Sequence, residues 1–273
     1  MWKLIKMDFY RLFTGKNMKV GAIMAAVISV GYMLVTLGLV ELCSYANTNN
    51  PEALISIAVI VPQVEWIFGV DFADVVFSST AALSLFIGCM LSANFIGAEQ
   101  SCGYTKNFAG QLPNKGYMAI SKFVVTSIAQ FVILFIYSIV GAVFAQLLFG
   151  KYITGYNISG LISAICLRLL LYIAINAIIV FLCTLTKSHA IAMVAGCIFG
   201  IGVTKFAYMV ISVILSTLQV SFPISDYMPD GINSQLSIAS ANDLVVKAIV
   251  VSIVFITIFV GANYFIQRKR DVK

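Results

Sequence analysis

Six apolar runs, each long enough to cross a hydrocarbon core, constrain this chain more than any other feature. They fall near 20–40, 75–98, 119–148, 159–185, 190–219 and 244–266. A core of about 30 Å takes roughly 20 helical residues, so each run predicts a spanning helix. The expected fold class is an all-α integral membrane protein with six transmembrane helices. The fifth run would make about 45 Å of helix, more than the core needs. It is expected to bend near Gly200, Gly202 or Lys205, or to project beyond the membrane before Pro223.

Composition narrows the function classes. Of 273 residues, 61% are hydrophobic and 10% charged, against about a quarter charged in an average soluble domain. No hydrophilic stretch is long enough for a soluble catalytic domain, so any ATPase the protein uses is expected on another chain. The net charge of +6 would suggest nucleic acid in a soluble protein, but its placement here reads as membrane topology, and no nucleic-acid partner is expected. The six cysteines contain no C-x-x-C pair, and Cys43 is the one expected outside, which predicts no disulfide framework. A single histidine, His189, cannot build a His-rich metal site. There is no G-x-x-x-x-G-K-[ST], H-E-x-x-H or G-x-S-x-G. Neither catalysis, nor a metal, nor a cofactor is expected in this chain.

Ahead of the first span, residues 1–19 hold an amphipathic stretch. Trp2, Ile5, Phe9 and Leu12 recur at helical spacing, while Lys3, Lys6, Tyr10 and Arg11 take the remaining arc. Such a helix lies in the interface, apolar stripe toward the acyl chains and basic residues at the lipid headgroups. Lys3, Lys6, Arg11, Lys16, Lys19, Lys106, Lys115, Lys122, Lys187, Arg268, Lys269, Arg270 and Lys273 all fall on one side of the six spans. Only Lys151 sits in a loop on the other side. By the positive-inside rule both termini are cytoplasmic, in a multi-pass protein of the cell membrane. The loops 41–74 and 220–243 are then extracellular. Within them, Ala53–Val61 predicts a short interfacial or re-entrant helix, and Ser221–Asn242 a cap over the outer mouth.

Four constellations carry possible function. Arg168 and Lys205 lie in the outer half of apolar runs, where a cation normally faces a cavity, a partner or the interface. They could line a path for an acidic substrate, or could snorkel outward or pair with an outer acid such as Asp226. Gly196 and Gly200 form G-x-x-x-G, with Ala192 a turn earlier, which allows close packing within the chain or between two copies. Gln130, Asn176 and Asn263 are polar groups expected to find neighbours on adjacent helices. The strongest signal is the loop 99–118, where Glu99 heads a short elbow punctuated by Gly103, Gly110 and Pro113. A carboxylate and polar backbone ends held at the cytoplasmic face between two stiff spans suit docking of a soluble motor.

The interfacial basic helix, the six spans and an elbow of the form Glu99, Gly103, Lys106-Asn107, Pro113, Lys115, Lys122 together resemble the membrane subunits of type-2 ABC exporters. The nearest-looking branch is the bacitracin and lantibiotic immunity permeases. Where relatives carry a small residue followed by arginine after the proline, this chain has Asn114-Lys115, which keeps the charge and loses the guanidinium fork. The resemblance implies two ABC ATPase subunits carrying ATP and Mg, and a second permease, identical or homologous. It also implies coupling through Glu99, Gly103, Lys106 and Asn107, with the N-terminal helix as a second contact. The implied cargo is an amphipathic antimicrobial or toxin peptide entering from the membrane. The alternatives are a secondary transporter driven by an ion gradient, motivated by Arg168 and Lys205, and a scaffold or sensor subunit that moves nothing.

Overall fold

The computed structural model describes residues 1–49, 70–80, 83–101, 114–151, 153–186, 188–217, 224–238, 240 and 242–269. Ala53–Val61 and most of the elbow, including Gly103, Lys106 and Asn107, lie outside them, as does the His189 side chain. The chain is an all-α, membrane-embedded protein. Among the described residues, five helices are long and apolar enough to cross a membrane, or six if one bent pair counts as a single span.

In order, α1 spans Trp2–Thr14 and α2 Lys16–Asn49. A two-residue strand β1, Val70–Asp71, precedes α3, Phe72–Ser79, and α4, Leu83–Ser101. Then come α5, Gly116–Phe149; β2, Ile153–Gly155; and α6, Ile158–Thr186. The bent pair is α7, His189–Ile201, and α8, Val203–Thr217. A 3-10 turn at Ile224–Tyr227 leads into the short α9, Pro229–Gln235, and α10, Asn242–Lys269, closes the described chain. β1 and β2 pair in parallel, Val70 opposite Ile153 and Asp71 opposite Gly155.

The second span is the centre of the bundle. Along Phe72–Glu99 75% of the most apolar window is buried, against 11% along α10 and 22% along α2. Leu85, Ile87, Leu91 and Ile96 of α4 pack with Val125 and Ile133 of α5 and Tyr172 and Ile175 of α6 in one core. Outward faces stay apolar: Ile23 and Val27 on α2, Phe131 and Phe135 on α5, and Val250 and Ile253 on α10 are all exposed. With lipid as the solvent, such faces need no protein cover.

In the second span, the described part of α3 ends on a run of hydroxyls that bond back to the backbone. Ser78 Oγ donates to the Val75 carbonyl, Ser79 Oγ to Val76, and Thr80 Oγ1 to Phe77. The Ser84 hydroxyl and the Tyr172 phenol donate to the Thr80 carbonyl at 2.5 and 2.8 Å. The backbone there thus has side-chain partners inside the bundle.

The fifth segment does bend, by 74° between α7 and α8. Gly202 makes the corner in the left-handed region, φ 81, and its N–H reaches the Ile198 carbonyl, a conformation that glycine adopts without a Cβ penalty. Gly196 and Gly200 settle against α4 of the same chain. A Cβ at 196 would sit 3.4 Å from Cys89 Cβ, and one at 200 only 2.5 Å from the Phe86 Cα. Gly200→Ala is therefore expected to push α7 off α4, with a loss of about 1–3 kcal/mol in unfolding experiments in detergent. Gly196→Ala is expected to be milder, because its new contact is an ordinary one.

Among the other intramembrane polar groups, Asn176 Nδ2 donates to Thr126 Oγ1 at 2.9 Å, and Asn263 Oδ1 accepts from Thr184 Oγ1 at 2.6 Å. Gln130 lies against Gly88, its amide atoms buried without a hydrogen-bond partner among the described residues.

Candidate functional site

Two charged sites sit toward opposite ends of α4. Leu85 and Glu99 mark them, roughly 21 Å apart along the helix at a rise of about 1.5 Å per residue.

At the Glu99 end, α1 folds back onto the bundle. Its inward face is Leu4, Asp8 and Leu12, spaced i, i+4, i+8. The stripe read from the sequence is divided: Leu12 is docked, whereas Trp2 is 78% exposed and Phe9, exposed too, stacks on Phe13 at 4.2 Å. Ile5 is half-buried, Lys3 and Lys6 are exposed, and Arg11 is half-buried. The helix thus has two faces: one docked, and one carrying Trp2, Phe9 and the lysines outward. Apolar spacing alone favours the Trp2 face, because Asp8 reads as polar until its partners are known.

Those partners form a buried cluster. Arg11 Nη1 donates to Glu99 Oε1 at 2.6 Å, and Lys122 Nζ lies 2.6 Å from Glu99 Oε2. Ser121 Oγ donates to Asp8 Oδ2 at 2.5 Å, and Arg11 lies 3.9 Å from Asp8. The Arg11 guanidinium also lies 5.9 Å from the centre of the Phe95 ring. Glu99 and Lys122 are each only 2% exposed, so neither charge has water to fall back on. Glu99 thus heads the elbow with its carboxylate directed into the protein. It ties α1, the last turn of α4 and the first turns of α5 into one body. At the same end, Asn114 Nδ2 donates to the Tyr264 hydroxyl of α10 at 2.7 Å, so the far end of the elbow is anchored to the last span.

Burial pushes the Asp8 carboxyl above the usual carboxylate range; the Ser121 hydrogen bond works the other way, nearby Glu99 raises it further, and Lys122 and Arg11 lower it. The folded state therefore holds this proton to higher pH than the unfolded state does. Its contribution to stability is full at acid pH and fades as pH rises from the ordinary aspartate range through the raised native value. Asp8→Asn keeps an acceptor for Ser121 and removes the buried charge. The expected result is unchanged or slightly higher stability near pH 7, with a flatter stability profile between pH 4 and 7, read as unfolding midpoint against pH in detergent.

At the other end, a cavity of about 430 Å³ opens between α3, α6, the α7–α8 corner and α9. Asp74, Arg168, Thr204, Lys205, Asp230 and Asn233 contribute to its wall. Arg168 neither snorkels nor pairs with Asp226, which instead faces Lys247 at 3.8 Å and accepts from Gln235 at 2.9 Å. Arg168 Nη1 donates to the Phe77 carbonyl and to Thr80 Oγ1, and its guanidinium lies 3.4 Å from the centre of the Phe77 ring. A cation thereby closes the C-terminal end of α3, where the helix dipole favours it. Lys205 is exposed at the rim.

The two cations read from the sequence thus share one cavity, but the lining is not cationic, because Asp74 and Asp230 join it. Asp230 was missed as a site residue. It lies on a polar stretch expected only to cap the mouth, and Pro229 at the first turn of α9 is the local signal that a helix there turns it inward. Ile232 of the same helix anchors it against Leu171 of α6 and Ala248 of α10, and Tyr208 donates to Asp230 Oδ1 at 2.8 Å.

Compared with known proteins, the chain matches no family, and no curated protein is significantly similar to it. No cluster of metal-ligating side chains occurs among the described residues.

Proposed function

We propose that the chain is the permease subunit of an ATP-driven exporter of the type-2 ABC kind. It would work with two ATPase subunits and a second permease, identical or homologous, in the cell membrane with both termini cytoplasmic. The cargo proposed is an amphipathic peptide of the antimicrobial or toxin class, moved outward. One observation carries most of this: the Glu99 cluster joins α1, α4 and α5 at the point where α4 leads into the elbow. A displacement applied to the elbow would not be absorbed by a loose joint. It would reach the interfacial helix and the central span together, and along α4 it would reach the charged cavity. In this arrangement Glu99 is a positioning residue inside the lever, and Lys106 and Asn107 are the elbow residues proposed to meet the ATPase.

The test is isolation of the tagged full chain from its native membrane, followed by ATPase assay. An ABC ATPase is expected to co-purify, and its substrate-stimulated turnover is expected to fall severalfold in Lys106→Ala/Asn107→Ala. Isolation without an ATPase, with peptide transport by the pure chain in liposomes under an ion gradient, would favour a secondary transporter. Isolation without an ATPase and without transport would favour a scaffold.

A further inference from the structure

Two buried polar atoms around the cavity have no hydrogen-bond partner among the described residues: Arg168 Nε and Asp230 Oδ2. Their residues are 2% and 5% exposed, and both contribute to the cavity wall. Buried polar groups are ordinarily paired, and such a cluster needs an explanation. Arg168 already gives Nη1 to Phe77 and Thr80, and Asp230 already gives Oδ1 to Tyr208. What remains on each is one group of fixed sign: a guanidinium N–H that can only donate, and a carboxylate oxygen that accepts.

The charges on the wall balance, with Arg168 and Lys205 against Asp74 and Asp230. A simple anion would meet two carboxylates and a simple cation two basic groups. A ligand carrying both signs meets complementary partners. From this we propose that the cavity binds a small zwitterion. Its ammonium is held by Asp230 Oδ2, and its carboxylate or phosphate by Arg168 Nε and Lys205. The volume, about 430 Å³, lies in the lower part of the range for small-molecule sites, roughly 300–1,000 Å³. Two sources carry this chemistry: a free small zwitterion, and a zwitterionic lipid headgroup reaching in past the exposed Lys205. The proposal is independent of the coupling role given to the Glu99 end, since binding is read without any ATPase, and its failure leaves that role in place.

The experiment uses the full chain in nanodiscs of phosphatidylglycerol, titrated with radiolabelled O-phosphoethanolamine. Saturable binding is expected, with ethanolamine alone and inorganic phosphate alone competing weakly. Asp230→Asn keeps an acceptor for Tyr208 and is expected to weaken binding about tenfold or more. Lys205→Ala, at the exposed rim, is expected to weaken it severalfold, which keeps the test alive should the Asp230 variant misfold. In nanodiscs containing phosphatidylethanolamine, loss of the free-ligand signal assigns the site to the lipid headgroup, and an unchanged signal assigns it to a free zwitterion. Absence of saturable binding overturns the proposal. So does competition by phosphate equal to that of phosphoethanolamine, or unchanged binding in Lys205→Ala.

Discussion

Replacing Glu99 by alanine is expected to release the N-terminal helix from the bundle, with the largest loss of stability of any single substitution considered. The carboxylate is shared by two cations, Arg11 and Lys122, at 2.6 Å each. Arg11 is partly in contact with solvent and can relax outward once its partner is gone. Lys122 cannot, and a buried ammonium without a counter-charge costs about 3–5 kcal/mol. Leu4 and Leu12 then become the main apolar anchors of α1, too little to hold a helix of 13 residues in one place. The measurement is maleimide labelling of Leu4→Cys, at a position buried in the folded protein. Labelling is expected to be slow in the otherwise native chain and fast in Glu99→Ala. Equal rates would show that the cluster does not hold α1. A second variant separates charge from shape: Glu99→Ala/Lys122→Met removes the stranded cation and is expected to unfold at higher denaturant than Glu99→Ala alone, a positive coupling in the double-mutant cycle. The same release of α1 would lower stimulated ATP hydrolysis in the proposed complex. Lys106→Ala/Asn107→Ala, by contrast, is expected to lower hydrolysis with Leu4→Cys still protected.

Arg168→Leu is expected to destabilise the chain by about 2–4 kcal/mol, as the loss of a buried charge-assisted hydrogen bond to the Phe77 carbonyl adds to the loss of a cation at the C-terminal end of α3. The Phe77 carbonyl also accepts from the Thr80 N–H at 3.2 Å and from Thr80 Oγ1 at 2.8 Å, so Arg168 is its one charged donor among the described residues. Thr80 loses the same donor. Arg168→Lys keeps the charge without the planar group that lies on the Phe77 ring and is expected to recover part of the loss. Lys205→Ala, on the exposed rim, is expected to change stability by less than about 0.5 kcal/mol. Unfolding in detergent with increasing denaturant distinguishes the two positions. A similar small effect at both would mean that Arg168 does not hold the C-terminal end of α3. Two cations that look alike in the sequence would then differ only in where they sit.

Much of the architecture was legible because it depends on one residue type at a time. Long apolar runs predict helices in lipid whatever their neighbours, and the five or six spanning helices follow. The corner at Gly202 and the close approach at Gly200 were readable for a similar reason: only glycine tolerates that φ or that separation. The polar contacts around Thr80 were less visible. Ser78, Ser79 and Thr80 are ordinary in a membrane helix, and what marks them out is the guanidinium and the phenol that α6 brings to Thr80.

Hydropathy and glycine spacing, then, are properties of single positions, and from them the sequence by itself determined the membrane class of the protein and its long apolar helices, and marked the stretch in which the fifth segment bends. Pairing is a property of two positions. Whether Glu99 faces a partner outside or Arg11 inside, 88 residues away, depends on which helices stand side by side. The same holds for Asp230 meeting the cavity of Arg168. Only the tertiary structure decided these, because a buried charge is tolerated wherever the packing delivers its counterpart, and nothing local in the chain records which counterpart that is.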